Sequence, residues 1–232
     1  MSVNNKLRAV AEEYCHGLLE GDVSTEGVFL VGSVARGEAV EGSDVDLLII
    51  DNRIHLNSDQ QDNMRELVYK EEMISLIRTN LLKLEKNIKE GITTDICFAK
   101  EAIPLFDPKN LISKIKKLTN NFSFEVNLTS RIDNAIFGLK DAERFLRRRE
   151  EEKAKMIALT TSLFLMRGFI QYHNSPYTST KQIFGELQKY DPLVADSFKK
   201  IWSLNTCESL LKELSFQINR IKAIANKRVV RS

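Results

Sequence analysis

The sequence predicts an α/β (α+β) N-terminal domain followed by an all-α helical bundle. Three observations predict it: two short unbroken apolar runs, residues 28–31 and 45–50, separated by a glycine-punctuated loop; a loss of strand signals beyond about residue 126; and, from there on, long stretches with apolar residues three and four apart. We place the division between residues 1–120 and 121–232. With 232 residues, 43% hydrophobic and 28% charged, the chain can bury a core without disulfide or metal staples.

Residues 5–20 read as a helix, because Leu7, Val10, Ala11, Tyr14, Leu18 and Leu19 recur at helical spacing and Gly21 closes it. The runs 28–31 and 45–50 read as strands buried on both faces. Ser58 and Gln61 form a capping box, opening a helix in which Met64, Leu67, Val68, Ile74, Ile77, Leu81 and Leu84 continue to about Lys89. After Gly91 a third strand is expected over 92–98, with Ile92, Ile96 and Phe98 on one face and Asp95 on the other. Residues 104–126, with two prolines, Asn120-Asn121 and a short amphipathic helix over 111–118, read as a domain junction. Helices are then expected over 130–149 and 156–170, in a shorter piece starting near Ser179, and over 210–224. The run Arg147 to Glu152 reads as a solvated helix face.

Charge excludes little beyond extremes. Thirty-four lysines and arginines against 32 acids give a net charge of +2, without the field that draws a chain to nucleic acid or a membrane surface. Cys15, Cys97 and Cys207 lie far apart and suit a reducing compartment. Residues 1–10 lack the apolar run of a signal peptide and no segment nears about 18 apolar residues, so a cytoplasmic protein is expected.

One stretch carries chemistry: Gly32 and Ser33 end the first strand, Gly37 follows, and Ser43, Asp44 and Asp46 enter the second. Residues two apart on a strand share a face, so Asp44 and Asp46 can aim both carboxylates at one spot. Like charges repel there unless a cation lies between them, and hard divalent magnesium favours such oxygen donors. Gly32 lets the backbone approach a phosphate closely, and Ser33 offers a hydroxyl and an amide. Asp95 joins the cluster if its strand neighbours the second. The plainer alternatives are a surface turn favoured by Ser43 and Asp44, and a solvent-facing Asp95 with Glu90 or Glu101 in its place.

The pattern Gly-Ser-x3-Gly-x5-Ser-Asp-x-Asp, with a later Asp, resembles the signature of the polymerase β-like nucleotidyltransferase superfamily. It is neither a Walker loop nor the dinucleotide fingerprint. The resemblance implies a mixed sheet of about five strands flanked by helices over residues 1–120, acting with ATP or another nucleoside triphosphate and two Mg2+ ions. By that resemblance Gly32 and Ser33 hold the triphosphate, with Ser43 in the same nucleotide-binding set, and Asp44 and Asp46 bind both metals. Asp95 completes the catalytic metal site and helps take the proton from an acceptor hydroxyl, which attacks the α-phosphate in line and displaces pyrophosphate. Arg36 is a bidentate phosphate contact or, equally, a surface arginine.

A catalytic domain followed by a helical bundle is similar to the kanamycin-type antibiotic nucleotidyltransferases. That likeness implies AMP transfer to a hydroxyl of a small molecule such as an aminoglycoside or lincosamide, with transfer to an RNA end or a partner protein as the alternative. A cationic acceptor needs acids, and Glu41, Glu186 and Asp191 are candidates. In the bundle, a capping box of Ser179 and Gln182 puts Lys181 in a first helical turn, where the macrodipole disfavours a cation and a phosphate partner would explain it. No membrane partner is expected, nucleic acid is disfavoured, and a homodimer completing the cleft stays open. Arg167 and His173 loosely resemble the Arg-x(4 to 6)-His pattern of HEPN nucleases, although a helix end commonly carries both residues.

Overall fold

A computed structural model describes residues 1–21, 24–54, 64–177 and 181–229, with side chains given as far as residue 226. The chain divides into two compact units, Met1–Phe122 and Ser123–Ser232. In the first, α1 (Val3–Gly21) precedes β1 (Thr25–Val31), one short turn of helix α2 (Gly32–Ala35) and β2 (Val45–Asp51). Then follow β3 (Met64–Tyr69), β4 (Glu72–Thr79), α3 (Leu81–Lys89), α4 (Thr93–Glu101), β5 (Ile103–Phe106) and α5 (Leu111–Asn120).

The five strands form one mixed sheet in the order β3-β4-β2-β1-β5, in which β2 and β4 run parallel and every other pair antiparallel. The mixed five-stranded sheet is the one the family resemblance implies. On one face the apolar stripe of α1, Leu7, Val10, Ala11 and Cys15, packs with Val28, Leu30, Val45, Leu47 and Ile49. The alternate residues Phe29, Val31, Leu48 and Ile50 are also fully buried, so the central strands are apolar on both sides and read as unbroken runs.

Two expectations fail in this unit. The helix expected from about 64 to 89 is instead the hairpin β3–β4 followed by α3, and the capping box of Ser58 and Gln61 lies outside the described residues. Ile74, Ile77, Leu81 and Leu84 satisfy a helical period only because β4 is buried on both faces: Ile74 and Leu76 join the α1 core, while Ser75 and Ile77 alternate with them. The turn is made by Lys70 and Glu71, both at positive φ, 49° and 67°, without the Asn-Gly pair that normally betrays such a hairpin.

The strand expected over 92–98 is helix α4. Its buried residues, Asp95, Ile96 and Ala99, lie at helical spacing, and Asp95 falls in the first turn, where the helix dipole favours an acid. The fifth strand is β5, whose Pro104 is tolerated because β5 is a sheet edge.

Among the described residues of the second unit every element is a helix: α6 (Leu128–Arg147), α7 (Glu151–Tyr172), α8 (Ile183–Tyr190), α9 (Pro192–Ile201) and α10 (Cys207–Val229). Its core is built from Ile132, Ala135, Leu165, Phe169, Leu187, Phe198, Leu214 and Ile218, among others. Helix α9 is not among the expected helices, although its start is plainly marked: Asp191 accepts from the Val194 N–H at 3.1 Å and Pro192 occupies the first turn. No helix among the described residues is long and apolar enough to cross a membrane.

Candidate active site

The antiparallel pairing of β1 with β2 places Val31 opposite Asp46, so the chain leaves β1 at Gly32 directly beside the start of β2. Gly32 stands at φ +71°, and a Cβ added there would lie 2.1 Å from Asp46 Oδ2. Only a residue without a side chain can occupy this position, for backbone and for space alike. Thus the two halves of the sequence pattern, 14 residues apart, meet in one corner of the sheet. Ser33 follows in α2, and Asp44 stands immediately before β2, two residues from Asp46. Both aspartates are half-buried.

On the other side of β2, the parallel pairing with β4 sets Ser75 opposite Asp46, and the Ser75 hydroxyl lies 3.5 Å from Asp44 Oδ2. The strand neighbouring the aspartates therefore presents a hydroxyl at this row. Asp95, expected there, instead sits buried in α4, and among the described residues no three His, Cys, Asp or Glu side chains are grouped to hold a metal ion. Asp44 and Asp46 are a pair rather than two members of a strand-borne triad.

Ser43 closes the preceding turn: its N–H donates to the Val40 carbonyl at 2.9 Å, and its Oγ accepts from the Val40 N–H at 3.0 Å. Arg36 is committed to carboxylates, with Nε 2.7 Å from Glu38 Oε2 and a terminal nitrogen 2.7 Å from Glu101 Oε1. From the sequence Glu101 is expected only as a substitute for Asp95. The structure gives it a different place, since Glu101 Oε2 accepts the Gly32 N–H at 2.9 Å. Burial pushes the Glu101 carboxyl above its ordinary value, and the Arg36 guanidinium and Gly32 N–H pull against that.

In the second unit, Ser179 lies outside the described residues and Gln182 makes no side-chain cap, so exposed Lys181 precedes α8 rather than standing in its first turn. Glu186 and Asp191 are both buried and engaged: Glu186 accepts from the Ser175 hydroxyl at 2.7 Å and pairs with Lys189, while Asp191 caps α9 and pairs with Arg220 at 2.9 Å. Neither is an acid open to a cationic acceptor. Glu41 is exposed. His173 stacks on Tyr190 at 4.3 Å between ring centres and meets Phe169 and Tyr172 edge-on, so it is part of an aromatic cluster at the end of α7. A cleft of about 560 Å³ lies between α3 and α5, lined by Leu81, Ile88, Lys114 and Phe122 among others, and includes none of the expected site residues.

Residues 18–118 match the family model described as a nucleotidyltransferase domain. Among solved structures, the chain is similar to a nucleotidyltransferase-like protein from Exiguobacterium sibiricum 255-15, at 14% identity and a TM-score of 0.52, over 91% of this chain and 73% of that one. At that identity the likeness is one of fold. No curated protein matches.

Proposed function

We propose that this nucleotidyltransferase, whose residues 18–118 form a nucleotidyltransferase domain of the polymerase β-like superfamily, moves AMP from ATP to a hydroxyl of a small molecule with the help of Mg2+. One observation carries the reading: the glycine turn after β1 is packed against the Asp46 carboxylate, with Asp44 two residues away at the same strand end.

The donor set fits a hard divalent ion. It consists of oxygens alone, two carboxylates and the Ser75 hydroxyl, and the two like charges at one strand end are stabilised by a cation between them. Asp44 and Asp46 are the residues that would hold it. Such an ion neutralises phosphate charge and makes the α-phosphorus easier to attack. Gly32, lacking a side chain, lets phosphate oxygens approach the backbone, and Ser33 donates its hydroxyl to them. Among the described residues no third acid is grouped with Asp44 and Asp46, so the proposal assigns the metal to this pair. Lys181, exposed ahead of α8, is retained as a candidate triphosphate contact.

The acceptor is taken to be small because a net charge of +2 supplies few phosphate contacts for an extended RNA. Of the acids considered for a cationic acceptor, Glu41 alone is exposed. The test is pyrophosphate release from each of the four nucleoside triphosphates with magnesium, against aminoglycosides, lincosamides, short RNAs and cell extract. Release with ATP and one small molecule is expected, falling by roughly a hundredfold or more in Asp46→Asn while the fold is kept. Release only with RNA or a protein from extract would make the acceptor a macromolecule. Equal activity in Asp46→Asn would remove the site.

A further inference from the structure

Helix α4 ends on Glu101, whose side chain is 2% exposed. A carboxylate buried to that extent costs several kcal/mol unless it is paired and hydrogen-bonded. Two groups of the glycine loop meet it: the Gly32 N–H, which donates to Oε2 at 2.9 Å, and the Arg36 guanidinium, which forms an ion pair with Oε1 at 2.7 Å. Arg36 in turn holds Glu38, whose own N–H donates to the Ser33 carbonyl at 2.9 Å. Gly32 is therefore held on two sides, by Glu101 through its N–H and by Asp46 against the place where a side chain would stand. A purely apolar contact would join α4 to this loop without burying a charge. The carboxylate instead fixes the direction of one particular backbone N–H and occupies the one arginine of the loop.

We propose that Glu101 is a positioning residue for the nucleotide: by latching the Gly32 N–H inward and restraining Arg36, it holds the loop so that Ser33 faces the triphosphate. The proposal rests on the reading above that Gly32 and Ser33 receive the phosphates. Glu101 acts through Gly32 and Arg36 and touches no reacting atom.

The test titrates magnesium-ATP into the full chain by calorimetry, with thermal unfolding of each variant alongside. Ser33→Ala probes the phosphate reading itself. Glu101→Asp keeps the charge but withdraws the carboxylate by one methylene, so it cannot span Gly32 and Arg36 together. Glu101→Gln keeps an oxygen able to accept the Gly32 N–H. Expected are a dissociation constant about tenfold weaker in Glu101→Asp and within about threefold of the wild type in Glu101→Gln, as for other residues that orient a binding group from behind. A folded Glu101→Asp that binds as tightly as the wild type, while Ser33→Ala is weakened, overturns the positioning role and leaves the phosphate reading intact. So does a lowered melting temperature with an unchanged dissociation constant, the mark of a merely structural residue. Glu101→Gln as weak as Glu101→Asp would overturn the latch, since the oxygen able to accept the Gly32 N–H is kept there. A wild-type chain that takes up no magnesium-ATP overturns both proposals.

Discussion

Gly32 carries two constraints at once, a left-handed backbone and the nearness of the Asp46 carboxylate, and they predict different consequences for Gly32→Ala. The backbone alone costs about 1–2 kcal/mol. The methyl group, built 2.1 Å from Asp46 Oδ2, also forces that carboxylate aside. The expected outcome is a modest fall in unfolding free energy with a much larger fall in turnover, about a hundredfold, read from urea titration and pyrophosphate release on the same preparation. Gly37, also at positive φ but with open space around it, serves as the control: Gly37→Ala carries the backbone cost without the clash. The residue scale was the most legible in the sequence for the loop and the aspartate pair, because their meaning lies in close spacing. Asp95 was misread because its place depends on whether residues 92–98 are strand or helix, and a seven-residue stretch with alternating and helical patterns both half-satisfied does not decide that. Glu101 was undervalued for a related reason, since its partners lie 65 and 69 residues away.

At the scale of elements, β2 is fastened at its far end by Asp51. This carboxylate, 2% exposed, accepts from the Arg53 N–H at 2.9 Å and from the Arg53 and Arg78 guanidiniums at 2.9 and 2.8 Å. Burial opposes its ionisation, but the bonds from Arg53, with a further one from Ser24, win and hold the carboxyl well below the usual range. The sign follows: a depressed folded-state pKa means the unfolded chain binds the proton more readily, so the stability is fully present above about pH 4 and is lost as pH falls through the folded value. Asp51→Asn is expected to lower the unfolding free energy by about 2 kcal/mol at pH 7. Unfolding free energies measured between pH 5 and 3 should then decline more steeply in the wild type than in the variant. The hairpin β3–β4 shows why other elements escaped the sequence. Its turn residues are Lys and Glu, and its buried strand satisfies two periods at once, so neither turn chemistry nor patterning marked it.

Across the whole molecule, two units each possess a hydrophobic core of their own, one around α1 and the sheet, the other among α6 to α10. Separate cores predict separate cooperative unfolding. Two calorimetric transitions are expected, and magnesium-ATP at about a hundred times its dissociation constant should stabilise the transition of Met1–Phe122 by about 2.7 kcal/mol. Assignment follows from Asp46→Asn, in which the ATP-dependent shift should vanish. A shift carried by the helical unit alone would count against nucleotide binding at the glycine loop.

What the sequence determined by itself is what short range encodes: the strand-loop-strand signature from Gly32 to Asp46, the apolar central strands, and the amphipathic helices on either side. What only the tertiary structure decided depends on which distant segments become neighbours. Pairing of β2 with β4 put a serine rather than an acid beside the aspartates. The packing of α4 against the loop brought Glu101 to Gly32. Salt bridges and caps inside the helical unit withdrew Glu186 and Asp191 from any acceptor. In each case the residue's identity is plain in the chain, but its role is set by a partner far away in sequence, and spacing along a single strand or helix carries no record of that partner.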